Sequence, residues 1–126
     1  MPGFVKDMMG SGLTGPQAQA INGNVQLGQT ATGSTQGTAF PLQFSGTEFT
    51  TVAASTGAVL PGTGFRLNPA DILAVYNQGA NALSVYPPVG GRIGLAAVNA
   101  AVSVASGNAA LFVVRGDGNY FRLLSA

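Results

Sequence analysis

The sequence contains no cysteine, no histidine and no tryptophan. Without cysteine there is no disulfide, no thiolate nucleophile and no cysteine-based zinc site. That absence leaves the compartment open, since a reducing cytosol and a disulfide-free exterior both accommodate such a chain. Without histidine, the commonest general base, the commonest metal ligand and a member of the usual hydrolytic triad are missing. Charge is scarce too: 7% of residues, against about 25% in ordinary soluble domains. The acids Asp7, Glu48, Asp71 and Asp117 follow no D-x-D or EF-hand spacing, so no calcium site is expected. Asp71 and Asp117 have the chemistry of a glycosidase pair, but nothing in the sequence places them together. Each acid reads as a turn or strand-end carboxylate. The inventory therefore predicts no catalytic residue, no metal ligand and no cofactor site, and the chain reads as non-enzymatic.

The cations are Lys6, Arg66, Arg92, Arg115 and Arg122, for a net charge of +1. A nucleic-acid partner needs a clustered basic face that displaces counterions, so none is expected. Arg115 and Arg122 fall in neighbouring predicted strands and read as solvated surface side chains. No membrane span is predicted either. The longest apolar run, Ile93 to Ala105, is about 13 residues and contains Asn99 and Ser103, whereas a span needs roughly 18–20. The opening MPGFVKDMMGSGLTG has no apolar h-region, so no secretory signal is expected there. A chain soluble before assembly is expected. Yet mean hydropathy is +0.32 and net charge is near zero, the regime in which isolated proteins associate. Much of the surface is expected to be covered by other protein; the plainer alternative is a monomer surfaced with Thr, Ser, Asn and Gln.

The 126 residues make one domain with an arm. Residues 1–37 are rich in Gly, Gln and Thr and read as the arm. Inside it, Thr14 to Gly23 predicts one short helix: Thr14 or Gly15 as cap, Pro16 in the first turn, Gly23 at the stop. A helix that short needs a partner surface to persist. From Thr38 the period becomes two, and residues 38–126 read as the β domain. Phe40, Leu42 and Phe44 alternate with smaller or polar residues, and Pro41 points to an edge strand. Further strands are predicted at Glu48–Ala53, Ala58–Leu60, Asp71–Asn77, Ala82–Tyr86, Ala100–Ala105, Ala109–Val114 and Tyr120–Leu124. The strand Ile72–Tyr76 is apolar on both faces, which predicts a central position. Gln78-Gly79-Ala80-Asn81 has turn chemistry and predicts a hairpin with Ala82–Tyr86. Ser106-Gly107-Asn108 and Gly116-Asp117-Gly118-Asn119 predict two more turns. Leu95–Ala101 is read as irregular, with Gly94 and Asn99 outweighing the helical preference of alanine. The expected fold is all-β: a single antiparallel β-sandwich or jelly-roll-like barrel of about eight short strands.

Two motifs dissolve on inspection. Gly10-Ser11-Gly12-Leu13-Thr14-Gly15 spells G-x-G-x-x-G, but no strand precedes it, and Ser34, Thr35 and Gln36 stand where an acid is required. It reads as a glycine-rich arm. Tyr76 and Tyr86 would suit an aromatic platform for sugars or bases, but with no basic groove nearby they read as packing residues. One apolar cluster lies outside the predicted core: Phe4, Val5, Met8 and Met9. It reads either as an adhesive tip that docks on a partner or as a plain chain end. With Leu13 and Ile21 these form the candidate partner-binding residues.

The stretch Val75-Tyr76-Asn77-Gln78-Gly79-Ala80-Asn81-Ala82-Leu83-Ser84-Val85-Tyr86-Pro87-Pro88-Val89-Gly90-Gly91-Arg92-Ile93 resembles small virion structural proteins of tailed bacteriophages. The resemblance continues through Ala101–Ala105, Ser106-Gly107-Asn108, Ala109–Phe112 and the aromatic strand Tyr120–Leu124, with Tyr120 where Trp is frequent. The opening Gly12-Leu13-Thr14 to Asn22-Gly23 is similar as well. It implies a capsid decoration, or cement, protein: a homotrimer on the outer capsid surface of the virion, made in the host cytoplasm. Its implied partners are the major capsid protein and itself, with no cofactor and no enzymatic step. The arm would add contacts to the shell, and several tethered contacts would raise avidity. The competing expectation is a receptor- or glycan-binding head-fibre or tail module, which needs exposed aromatics near Tyr86 and Tyr120.

Overall fold

The computed structural model describes residues 25–62, 69–115 and 118–124. These form nine strands: β1 (Val25–Thr30), β2 (Phe40–Pro41), β3 (Gly46–Thr51), β4 (Gly57–Val59), β5 (Ile72–Asn77), β6 (Leu83–Tyr86), β7 (Val102–Val104), β8 (Ala109–Val114) and β9 (Tyr120–Leu124). No helix occurs among the described residues. The strands make a five-stranded sheet, ordered β1-β3-β5-β8-β9, and a four-stranded sheet, ordered β2-β4-β6-β7. Neither closes on itself among the described residues.

Both sheets are mixed, which corrects the expectation of an antiparallel fold. β1, β3 and β5 run parallel, as do β2, β4 and β6; β7, β8 and β9 add antiparallel pairs. The reason is the path of the chain. From β1 through β5 each strand is followed in the chain by a strand of the other sheet. The strand after next then returns to the first sheet in the original direction, beside its predecessor.

The expected hairpin at Gln78–Asn81 is therefore a corner: β5 lies in one sheet and β6 in the other. Asn77 explains the difference. Its side chain is fully buried at the end of β5. Its Nδ2 donates to the carbonyls of Asn81 and Val104, both at 2.9 Å, and its Oδ1 accepts from the Gly79 N–H at 3.0 Å. Those bonds fold residues 78–81 back over the core edge rather than into a two-residue turn. Gly79 is required there, since a Cβ would stand 2.6 Å from Val52 Cγ2 and 2.7 Å from Val52 N.

Other expectations hold. β5 is the middle strand of its sheet, and β2, with Pro41, is an edge strand. Leu95–Ala101 is irregular. β8 and β9 pair antiparallel, and the turn expected between them lies partly outside the described residues. The expected boundary at 37/38 falls after β1, which pairs with β3 from Val25↔Gly46 onward. β1 escapes pattern reading because its polarity is inverted. Val25 and Leu27 face solvent, Gln26 and Gln29 are half-buried, and Gly28 breaks the register at φ +68°.

Side chains from both sheets form one buried cluster. Phe49, Val75 and Phe112 come from the five-stranded sheet, and Ala58, Leu83 and Val85 from the other. Each large side chain so buried is worth about 1.5–3 kcal/mol. Phe40 meets Phe49 edge-to-face, with centroids 5.3 Å apart and planes at 87°. Two buried polar residues share this interior with opposite balance: Asn77 is fully bonded, whereas Thr47 Oγ1 has no hydrogen-bond partner among the described residues. Asn77→Ala should cost about 3 kcal/mol in denaturant unfolding, because it strands two carbonyls and an N–H. Thr47→Val should stabilise by about 1 kcal/mol in the same measurement, since it removes an unpaired buried hydroxyl while keeping the shape.

Candidate interaction surfaces

The candidate partner residues Phe4, Val5, Met8, Met9, Leu13 and Ile21 all lie outside the described residues, as do the predicted helix at Thr14–Gly23 and Asp117 of the carboxylate pair. No group of three or more acidic, His or Cys side chains suited to a metal occurs among the described residues. No helix among them is long and apolar enough to cross a membrane. Arg122 stands level with Phe112 on β9, and Arg115 lies past the end of β8. Tyr76 and Tyr86 sit in different sheets and share no platform. Tyr86 is half-buried and donates to the Ser34 carbonyl at 3.1 Å.

Tyr120 is buried rather than displayed. Its hydroxyl donates to the Pro61 carbonyl at 2.6 Å. Its backbone fastens the long β6–β7 connection: Tyr120 N–H donates to Arg92 O at 3.0 Å, and Gly94 N–H donates to Tyr120 O at 2.8 Å. Beside it, Arg92 N–H donates to Asn119 Oδ1 at 2.9 Å. Ile93, fully buried, pins the connection to the core.

Asn99 braces the rest of that connection from a left-handed conformation, φ +66°. Its N–H donates to Gly91 O at 2.8 Å, and its Oδ1 accepts from Gly90 N–H at 2.7 Å and Gln36 Nε2 at 3.2 Å. Gln36 Nε2 also donates to Pro87 O at 2.7 Å. The backbone is thus tied down while its apolar side chains stand in solvent. Leu95 is 100% exposed, Val89 85% and Val98 48%. A loop ordered before contact loses little entropy on contact.

The second apolar surface is the outer face of the five-stranded sheet. Period-two alternation sends Leu73, Val75 and Asn77 of β5 inward and Ile72, Ala74 and Tyr76 outward. The register carries the outward set across β8 and β9, so Val113 and Phe121 stand level with Ile72, and Leu111 and Leu123 with Ala74. Val25 of β1 reaches the same face beside Gly46, where a Cβ would lie 3.2 Å from Val25 Cγ2 and 3.8 Å from Tyr76 Cε2. Sequence reading missed both surfaces. The signal for the face was β5 and β8, apolar on both sides, which suggests burial on both.

No family model, no curated protein and no solved structure matches the chain.

Burial pushes the Tyr120 hydroxyl up from 10.0 to about 12, because the phenolate would lose its water. The unfolded chain gives up this proton near pH 10.0 and the folded chain holds it to about 12. Between those values the unfolded state binds fewer protons, so stability falls as pH rises. Chemical denaturation should therefore show no Tyr120 contribution to pH dependence below pH 10.0 and a loss of stability from there toward about 12. Tyr120→Phe should remove that part of the alkaline loss and, at neutral pH, cost about 1 kcal/mol for the bond to Pro61.

Proposed function

We propose that this chain is a non-enzymatic virion structural protein of the capsid decoration type. In this reading it trimerises on the outer capsid surface and bridges neighbouring major capsid protein subunits. The two sheets act as an open β-sandwich around their shared cluster. Parallel neighbours favour that over a jelly roll, which is built from antiparallel strands. One observation carries the proposal: a chain with 7% charge displays large apolar side chains on two separate surfaces, a sheet face and a braced loop. A bridging protein needs at least two contact surfaces, and a trimer multiplies each of them. The task is mechanical, so an inventory lacking His and Cys is no handicap. The apolar arm residues Phe4, Val5, Met8, Met9, Leu13 and Ile21 add a third contact, to the shell.

The test is co-sedimentation with empty shells assembled from the major capsid protein of its own phage. The truncation should remove residues 1–24 and no more, because β1 begins at Val25. The intact protein should pellet with shells, and the truncated one should bind at least tenfold more weakly with unchanged circular dichroism. Full binding after truncation would overturn the arm's role. No binding by the intact protein would overturn the decoration reading, and glycan-array binding that survives truncation would replace it with a receptor-binding module.

A further inference from the structure

We infer that the outer face of the five-stranded sheet is the surface on which a second copy of this chain packs. The inference deepens the self-assembly part of the proposed function and rests on it. Six large hydrophobic side chains lie open on this face: Val25, Leu27, Ile72, Tyr76, Phe121 and Leu123. All but Tyr76 are more than half exposed, and Tyr76 is 37% exposed. They are not scattered. Register aligns Val25, Gly46, Ala74, Leu111 and Leu123 in one row across all five strands. A second row runs from Ile72 through Val113 to Phe121. Val25 and Tyr76 close over Gly46 in the first row, where a Cβ would lie 3.2 Å from Val25 Cγ2 and 3.8 Å from Tyr76 Cε2.

Charge selects the occupant. Within these strands Glu48 is the one charged side chain on the face among the described residues, and its Oε1 already accepts the Gly28 N–H at 3.2 Å. A single carboxylate on so wide a face gives a highly charged foreign surface little to pair with. A second copy brings an equally charge-poor face, and contacts between identical chains are the more apolar class of interface. Size then sets the strength. Five strands at about 4.8 Å spacing and about five residues at about 3.4 Å give roughly 400 Å² in projection, or about 800 Å² for two faces. Stable interfaces start near 1,200 Å², so the assembly is expected to be concentration-dependent rather than obligate.

The cysteine-free chain makes the test direct. Light scattering from about 1 to 300 μM, a range suited to weak association, should show mass rising from 12.6 kDa to a multiple of it. Ile72→Glu and Phe121→Glu should hold the mass at one copy, with circular dichroism as the folding check. Leu95→Glu, in the braced loop, should assemble like the parent. Independently, Ile72→Cys should react with a bulky maleimide at least fivefold more slowly at high than at low protein concentration, while Leu95→Cys should react equally at both. A parent that stays at one copy overturns both this inference and the self-assembly it rests on. A parent that assembles while both Glu variants also assemble, or while Ile72→Cys reacts equally fast, overturns the face alone and leaves self-assembly standing.

Discussion

The fold depends on a single buried amide. Asn77 closes β5, and its side chain reaches the corner it opens and the end of β7 in the other sheet. Its main chain holds the return corner: Asn77 N–H donates to Asn108 O at 2.9 Å, and Gly107 N–H donates to Asn77 O at 2.7 Å. The neighbouring corner joins the same knot, with Asn81 Nδ2 donating to Val52 O at 2.8 Å and Ser106 Oγ donating to Gly79 O. A buried amide with its donors and acceptor matched costs little, whereas one with a partner missing costs several times more. The bonds of Asn77, Asn81 and Ser106 thus link three corners.

That knot has consequences at a distance. Corners that cross between sheets make β1, β3 and β5 parallel and leave the five-stranded sheet with an inner and an outer face. The inner face is filled by Phe49, Val75 and Phe112. The outer face keeps its hydrophobic side chains because β5 and β8 are apolar on both sides and β9 adds Phe121 and Leu123. A second set of amides, Asn99, Asn119 and Gln36, does for the β6–β7 connection what Asn77 does for the corners. It satisfies the backbone so that Leu95 and Val89 are held out in water. In a chain with so few charges, neutral amides carry the polar structural work.

The functional reading follows from surfaces rather than from chemistry. Apolar side chains in water cost free energy, which contact with another protein recovers. Two such surfaces on one small domain suit a component that joins copies to one another and to a larger assembly. The sheet face and the loop differ in kind. One is a broad sheet face, and the other is a braced protrusion fastened to β9 through Tyr120.

Strand positions were largely legible in the sequence, because period two, proline and turn residues are local signals. The middle place of β5, the edge place of β2 and the irregular run after Gly94 were readable for that reason. β1 was not, since its hydrophobic residues point outward and its pairing with β3 comes from residues about twenty positions away. The hairpin expected at Gln78–Asn81 had the right turn residues for a hairpin or a corner, and local chemistry does not separate the two. What decided between them is Asn77 reaching the Val104 carbonyl, a contact across 27 residues. The same holds for the surfaces. Composition alone set the scarcity of charge and the excess of apolar residues, but which of those residues lie open depends on which face the second sheet covers, and only packing determines that.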